Sequence, residues 1–116
     1  MSDVGSVAGC LFCRIVAGEL PSTREHEDDQ VIAIRDIAPR HPTHVLVIPR
    51  RHIASALELT EADGPLLGRL FHVAADLARG LGIAESGFRL ESNVGAWAGQ
   101  TVDHLHVHLL GPKGRR

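Results

Sequence analysis

The chain has 116 residues, 44% of them hydrophobic, and a formal net charge of −2. This predicts one soluble globular domain with a modest core and no basic surface for polymeric nucleic acids, so DNA and RNA are not expected as partners. No apolar run is long enough to span a membrane, and residues 1–9 lack the basic start and hydrophobic block of a secretory signal, which predicts a cytoplasmic protein without membrane partners. Residues 1–9 are interpreted as a flexible tail and residues 10–116 as the domain.

The first half of the chain predicts a short helix and two strands. Residues 11–16 are apolar and end before a Gly and a Pro, which is typical of a short helical or turn segment. Residues 30–36 are rich in β-branched side chains and predict a strand, which the two prolines of residues 37–42 end. Residues 44–48 are almost continuously apolar, as in a strand buried on both faces.

The second half predicts the long helix and two more strands. Thr60 is a suitable N-cap, apolar residues recur at helical spacing from residue 66 to 81, and Gly80 and Gly82 supply the stop. The wide apolar face of this helix favours a role in both the core and a subunit contact. Strands are predicted over residues 88–93 and 102–110, with a glycine-bearing loop between them. The pattern indicates an α+β domain with an antiparallel sheet.

Three histidines alternate along the last predicted strand. His104, His106 and His108 would share one face, about 7 Å apart, while the intervening apolar residues fill the other. Adjacent imidazoles buried only for packing would each need a hydrogen-bond partner or a shifted pKa. The pattern therefore favours a functional cluster, either a metal site or a site that handles phosphate.

The preceding loop favours phosphate. Glycines let backbone N–H groups approach an anion closely, and this loop contains Gly95 and Gly99. Asn93, Gln100 and Thr101 add side-chain donors. A neutral imidazole is a competent nucleophile at phosphorus near neutral pH. We therefore expect one histidine of the strand to attack a phosphate that this loop binds.

The two cysteines form a C-x-x-C pair, Cys10 and Cys13. In a reducing compartment this spacing indicates half of a metal site or a redox motif rather than a disulfide. Histidines would have to complete a metal site, because the chain has no other cysteine. A thioredoxin-like role is disfavoured because no βαβ pattern surrounds the pair. His26, His41 and His72 belong to no such cluster and are interpreted as structural or surface residues.

Several segments resemble those of a known family. The run His104-Leu105-His106-Val107-His108-Leu109-Leu110 matches the His-φ-His-φ-His-φ-φ signature of the histidine triad superfamily, where φ is an apolar residue. Further matches occur, in order, at residues 10–15, 36–39, 42–52 and 99–101. The resemblance covers residues 10–111 and is greatest to the histidine triad nucleotide-binding branch.

The resemblance implies a fold and an activity. It implies an α+β protomer with a five-stranded antiparallel sheet, one long helix and one short helix, forming a homodimer through a helix and a sheet edge. It also implies hydrolysis of purine nucleoside phosphoramidates and aminoacyl adenylates, releasing a nucleoside monophosphate. Two alternatives remain: a dinucleoside polyphosphate hydrolase or nucleotidyl transferase of the same superfamily, and a nucleotide-binding interaction module with negligible turnover.

The resemblance also implies residue roles. His106 resembles the nucleophile that forms a nucleotidyl-histidine intermediate, His108 a phosphate contact and His44 a support for the triad. Asp36 resembles the acid that binds ribose hydroxyls, with Ile37 against the base. The loop residues that resemble phosphate or leaving-group contacts are Asn93, Gly99, Gln100 and Thr101, of which Thr101 is also placed in the catalytic set.

The cysteines resemble half of a structural zinc site in the same superfamily. There, such a pair joins two histidines, and the matching positions here are His52 and His104. The implied ligand set is Cys10, Cys13, His52 and His104. No metal is required for the double displacement at phosphorus, so zinc is expected to be structural.

Overall fold

The computed structural model describes residues 7–115. Two α-helices lie in this range, α1 (Leu11–Val16) and α2 (Gly64–Gly80). Its strands are β1 (Arg24–Glu27), β2 (Val31–Arg35), β3 (Thr43–Pro49), β4 (Arg89–Glu91) and β5 (Val107–Gly111). Two 3₁₀ turns, Ala56–Glu58 and Glu61–Asp63, lie between β3 and α2.

Within residues 7–115 the strands form one five-stranded antiparallel sheet in the order β1-β2-β3-β5-β4. The expected α+β fold, with one long and one short helix, is confirmed. In the central pair, Leu46 lies opposite His108 and Val47 opposite Val107. The histidine-bearing strand is thus held between β3 and β4, and Glu91 of β4 lies opposite His108 on the other side.

Side-chain alternation in β2, β3 and β5 divides the apolar residues between two faces. One set packs with α2 in a core that includes Val45, Val47, Val107 and Leu109. The other set packs with α1. Because side chains alternate along a strand, His106 and His108, on either side of Val107, face the side that α1 covers. The short helix therefore covers the face on which the histidines lie.

Two predicted strands have different bounds in the structure, and one strand was not predicted. The predicted strand over residues 102–110 was too long, because ladder pairing begins only at Val107. Before it, the backbone bonds elsewhere: Leu105 N–H donates to the Ile53 carbonyl at 2.6 Å, and Ser92 Oγ donates to the His106 carbonyl at 2.8 Å. The predicted strand over residues 88–93 shortens to β4. Strand β1 was not located, because the polar sequence of Arg24–Glu27 carries no apolar alternation.

The long helix begins and ends near the predicted residues. Thr60 precedes a 3₁₀ turn, and its backbone N–H donates to Asp63 Oδ2 at 2.9 Å before α2 begins at Gly64. At the other end Gly82 takes φ +79°, a left-handed conformation that lets the chain reverse. Neither helix of the described range has the length and apolar character that a membrane crossing requires.

Candidate active site and metal centre

The three histidines of the predicted cluster lie together and are buried. His104, His106 and His108 are 0%, 7% and 9% exposed, and the rings of His106 and His108 lie 4.9 Å apart at 71°. The intervening Leu105 and Val107 pack into the α2 core. The alternation that predicted a shared face therefore holds, although His104 and His106 precede the paired part of the strand.

His106 has one ring nitrogen fixed and the other free. Its Nδ1–H donates to the His104 carbonyl oxygen at 2.7 Å, which assigns the proton to Nδ1 because a carbonyl can only accept. In the neutral ring Nε2 then carries a lone pair, and no described residue bonds to it. Because no buried side-chain nitrogen among the described residues lacks a partner, Nε2 is open to solvent. His106 thus has the free, unprotonated nitrogen that a nucleophile needs.

Burial keeps His106 neutral. Loss of solvation lowers its pKa, while the hydrogen bond to the His104 carbonyl and the charge of Asp36 act in the opposite direction. A neutral ring at neutral pH is the nucleophilic form. The same two opposing groups would stabilise the positive charge that the ring acquires on attacking phosphorus.

His44 and His108 form a hydrogen-bond relay. The backbone N–H of Arg40 donates to His44 Nδ1 at 3.1 Å, so the proton of the neutral His44 ring is on Nε2. That Nε2–H donates to His108 Nδ1 at 2.9 Å. The proton of His108 is therefore on Nε2, which can donate to a ligand. Burial lowers the pKa of His44, and it lowers the pKa of His108 to about 4, so both rings are neutral.

Asp36 lies beside this relay. Its Oδ1 accepts the Ala38 backbone N–H at 2.8 Å, and its Oδ2 lies 3.4 Å from His44 Nε2. Oxygen and nitrogen atoms of Asp36, His44 and His108 lie within 4.8 Å of one another, a grouping that resembles a metal site. The tautomer argues against a cation there, because His44 Nδ1 accepts from Arg40 and its Nε2 must therefore carry the proton. Ile37, next to Asp36, is 98% exposed and is free to contact a ligand.

The glycine loop is held by its own amide side chains. Asn93 Nδ2 donates to the Ala98 carbonyl at 2.9 Å, and Gln100 Oε1 accepts the Gly95 N–H at 2.9 Å. Gln100 Nε2 donates to the Ala54 carbonyl at 2.8 Å and to the Val102 carbonyl at 3.1 Å. Gly95 and Gly99 both take φ +83°. The predicted donors Asn93 and Gln100 therefore shape the loop, and their contact with phosphate stays a prediction.

Thr101 lies at the end of this loop and lines a surface cleft of about 450 Å³. The cleft also includes Cys10 and His52, so Thr101 lies on the cysteine side of the site. Thr101 is exposed, and its hydroxyl makes no hydrogen bond with the described residues. It remains available to a ligand, as its predicted role requires.

The predicted metal ligands converge. Their side-chain donor atoms lie within 4.8 Å of one another in the set Cys10, Cys13, His52 and His104. His104 Nδ1 lies 3.3 Å from Cys10 Sγ and 3.6 Å from Cys13 Sγ, and His52 Nδ1 lies 3.3 Å from Cys13 Sγ. Tetrahedral zinc with its usual bond lengths separates sulfur from nitrogen by about 3.6 Å. The geometry of the four residues fits such an ion.

Neighbouring groups orient these ligands. His104 Nε2–H donates to the Pro49 carbonyl at 2.8 Å, which leaves the Nδ1 lone pair facing the sulfurs. Backbone N–H groups of Val7 and Cys13 donate at 3.4 Å to Cys13 Sγ and Cys10 Sγ. Burial raises the pKa of the Cys10 thiol and lowers that of His104 to about 4. A bound cation would reverse the effect on the thiol by stabilising the thiolate.

Sequence reasoning did not find the groups that set the tautomers. These are the Pro49 and His104 carbonyls and the Arg40 N–H. Backbone groups carry no side-chain signature, so no pattern could have revealed them. It also missed Phe12, whose ring lies 5.1 Å from that of His106, edge to face at 88°. The only feature of the sequence that could have indicated Phe12 is its position between Cys10 and Cys13.

The chain is similar to known proteins over most of its length. A family model described as "Scavenger mRNA decapping enzyme C-term binding" matches residues 9–115. The chain is 44% identical over 101 residues to the purine nucleoside phosphoramidase of Escherichia coli K12, covering 87% of this chain and 85% of that protein. A HIT-like protein of Synechococcus elongatus is 45% identical over 101 residues, covering 87% and 88%.

Solved structures show the same fold. A HIT family hydrolase from Clostridium thermocellum superposes with a TM-score of 0.91 at 49% identity, covering 96% of each chain. A histidine triad protein from Clostridium difficile superposes with a TM-score of 0.90 at 36% identity, also covering 96% of each chain. The likeness of the backbone therefore extends over nearly the whole chain.

Proposed function

Because the chain belongs to the histidine triad superfamily, we propose that it hydrolyses purine nucleoside phosphoramidates and aminoacyl adenylates, releasing a nucleoside monophosphate. One observation carries this proposal above the others. His106 is buried and neutral, its Nδ1–H is bonded to the His104 carbonyl, and its Nε2 is open. A protein that only bound nucleotide would need no free imidazole nitrogen next to a phosphate site.

The reaction follows from these positions. The Nε2 lone pair of His106 attacks the α-phosphorus, the bond from phosphorus to the amine breaks, and its electron pair leaves with the nitrogen. The departing nitrogen takes up a proton, which Thr101 or a protonated neighbour passes to it, and the Thr101 hydroxyl regains its proton from solvent water. Water then attacks the nucleotidyl-histidine and releases the nucleoside monophosphate and the free ring. His108 Nε2–H donates to a phosphate oxygen throughout, since its Nδ1 is occupied by His44.

The nucleotide would lie across the loop that follows β2. Asp36 can accept hydrogen bonds from both ribose hydroxyls, and the exposed Ile37 beside it offers an apolar surface to the base. The phosphate end would meet Gly99 and the glycine loop, where Asn93 Nδ2 has a second N–H to donate. Gln100 Nε2 would donate there only by giving up its bond to the Ala54 or Val102 carbonyl. The binding set is therefore Asp36, Ile37, Asn93, Gly99, Gln100, Thr101, His106 and His108.

We propose a structural zinc ion on Cys10, Cys13, His52 and His104. Four protein ligands complete a tetrahedral shell, so the ion would supply folding stability and offer no open position for chemistry. It would join the N-terminus of α1 to His52, in the segment that follows β3, and to His104. The hydrolysis proposed above takes place at His106, outside this ligand set.

The function is tested by assaying adenosine 5′-phosphoramidate and a dinucleoside polyphosphate with the wild type, His106→Asn and His72→Asn. His72 is an exposed histidine of α2 and serves as the control. We expect turnover of the phosphoramidate, a fall in kcat of at least about 10³-fold in His106→Asn and no change in His72→Asn. Equal activity of the wild type and His106→Asn would remove the nucleophile assignment. Turnover of the polyphosphate alone would favour a dinucleoside polyphosphate hydrolase or nucleotidyl transferase. Turnover of neither substrate would favour a nucleotide-binding module.

A further inference from the structure

Phe12 connects the cysteine pair to the nucleophile. It lies on α1 between Cys10 and Cys13 and is 5% exposed. Its ring meets that of His106 edge to face, with centroids 5.1 Å apart, and that of His104 at 5.9 Å and 71°. No step of the proposed reaction uses this contact.

The contact restrains the one motion that His106 retains. A single side-chain hydrogen bond, from Nδ1 to the His104 carbonyl, holds the ring. That bond constrains Nδ1 but leaves the ring plane free to tilt about it. The ring of Phe12, at 88° to that of His106, limits that tilt from one side, and the ring of His108, 4.9 Å away, limits it from another. Attack at phosphorus needs an aligned lone pair, so a loose ring plane would slow the reaction.

Phe12 is itself placed by the cysteine–histidine cluster. Cys10 caps α1, and its Sγ accepts the Cys13 N–H and lies 3.3 Å from His104 Nδ1. Cys13 Sγ lies 3.3 Å from His52 Nδ1. A helix of six residues is too short to be stable alone, so its position depends on such anchors. Both ends of the Phe12 backbone are therefore tied to the cluster.

We propose that Phe12 is a positioning residue for His106 and that the cysteine–histidine cluster, when it holds its metal, acts through α1 to keep it in place. This inference rests on the proposed function for its kinetic consequence. Metal loading of the cluster then raises turnover at a ring that the metal does not touch. His104 strengthens the link, because its ring belongs to the cluster while its carbonyl holds His106.

The kinetic test is a double-mutant cycle on the full chain, purified with zinc. It compares the wild type, Phe12→Leu, Cys10→Ser and the double variant on adenosine 5′-phosphoramidate. We expect Phe12→Leu to lower kcat about tenfold, with KM changed less than about twofold. Cys10→Ser should lose zinc and lower kcat by a similar factor. In the Phe12→Leu background, Cys10→Ser should lower kcat by a clearly smaller factor than in the wild type, because the path through Phe12 is already broken and only the path through His104 remains. Losses that simply multiply would overturn the proposal.

Two variants separate positioning from stability. Ile15→Val removes buried volume from the same helix at a side chain without a ring contact to His106, and we expect its kcat to equal that of the wild type. If Cys10→Ser does not fold, His52→Gln removes a ligand that lies outside α1 and takes its place in the cycle. A fall in kcat of Ile15→Val equal to that of Phe12→Leu would contradict the proposal.

Nitrogen-15 NMR of the histidine rings tests the positioning without substrate. In the zinc-loaded wild type and in Ile15→Val, we expect a slowly exchanging His106 Nδ1–H signal. In Phe12→Leu and in zinc-free protein the signal should broaden or disappear. An unchanged signal in Phe12→Leu would overturn the proposal. A wild type that keeps the signal but does not hydrolyse phosphoramidates would instead contradict the proposed function alone.

Discussion

Four neighbouring histidines differ in what their ring nitrogens do. His104 directs Nδ1 at two sulfurs, His106 leaves Nε2 free, and His44 passes a hydrogen bond to His108. The sequence pattern predicted that His104, His106 and His108 would lie together, and the resemblance added His44. Neither the pattern nor the resemblance could predict the tautomers, because these depend on backbone groups whose positions follow only from the folded chain.

Burial of His108 makes the stability of the protein depend on pH. Its folded pKa is lowered to about 4 by loss of solvation and by the neighbouring His106, His44 and Arg40, against the charge of Glu91. The unfolded histidine titrates near about 6.5. Between these two pKa values His108 is protonated in the unfolded chain and neutral in the folded chain. The stability from this group is therefore fully present above the unfolded pKa and falls as the pH drops toward 4.

We therefore expect the free energy of unfolding to fall by roughly 3 kcal/mol from this group between pH of about 7 and 4. His108→Asn, whose amide oxygen can still accept from His44, should show a shallower fall. Urea unfolding at several pH values measures the slopes, with His72→Asn as the exposed control. Parallel curves for the wild type and His108→Asn would contradict this assignment.

Among the elements, those with a strong apolar pattern were predictable and those held by polar contacts were not. Strands β2 and β3 agree with prediction within two residues, because both faces are buried. Strand β1 is a charged sheet edge, tied by ion pairs such as Arg35 to Glu25 at 2.5 Å. The start of β5 depends on a hydrogen bond that Ser92 Oγ donates and on one that the Ile53 carbonyl accepts, and neither residue is near β5 in sequence.

The anchoring of α1 gives a prediction about the metal. Protein purified without added zinc should contain about one zinc ion per chain, and Cys10→Ser should contain almost none and melt several degrees lower. His41→Asn, which alters a histidine outside the ligand set, should keep its zinc. Elemental analysis and thermal unfolding measure both effects. A wild type that contains no zinc would contradict the proposal that Cys10 and Cys13 are zinc ligands.

In the whole molecule, the two faces of the sheet are covered by different layers. One layer is mainly an apolar core, and the other contains the residues of the candidate site. Helix α2 covers one face with apolar contacts, and α1 with the histidines covers the other. In this arrangement Phe71 of α2 is 49% exposed, and β4 is an edge strand of the sheet. We propose that these two surfaces meet a second copy, as the wide apolar pattern of α2 and the family resemblance predicted. The cytoplasmic location expected from the sequence likewise stays a prediction.

Sedimentation analysis tests the dimer. The wild type should have twice the mass of the chain, and Phe71→Glu should shift it toward the monomer because a charge would be buried at the interface. Leu57→Glu places the same charge on an exposed apolar residue of a 3₁₀ turn outside α2 and should leave the dimer intact. A monomeric wild type, or equal effects of both substitutions, would contradict the proposed interface.

In the proposed reaction, His106 attacks phosphorus and carries the nucleotide. Rapid quenching of the wild type with adenosine 5′-phosphoramidate, followed by mass spectrometry of its peptides, tests this most directly. We expect one adenylyl group to be added to His106 early in turnover and to be absent in His106→Asn. Steady turnover with no adduct at any quench time, or an adduct on His108 or His44, would contradict it.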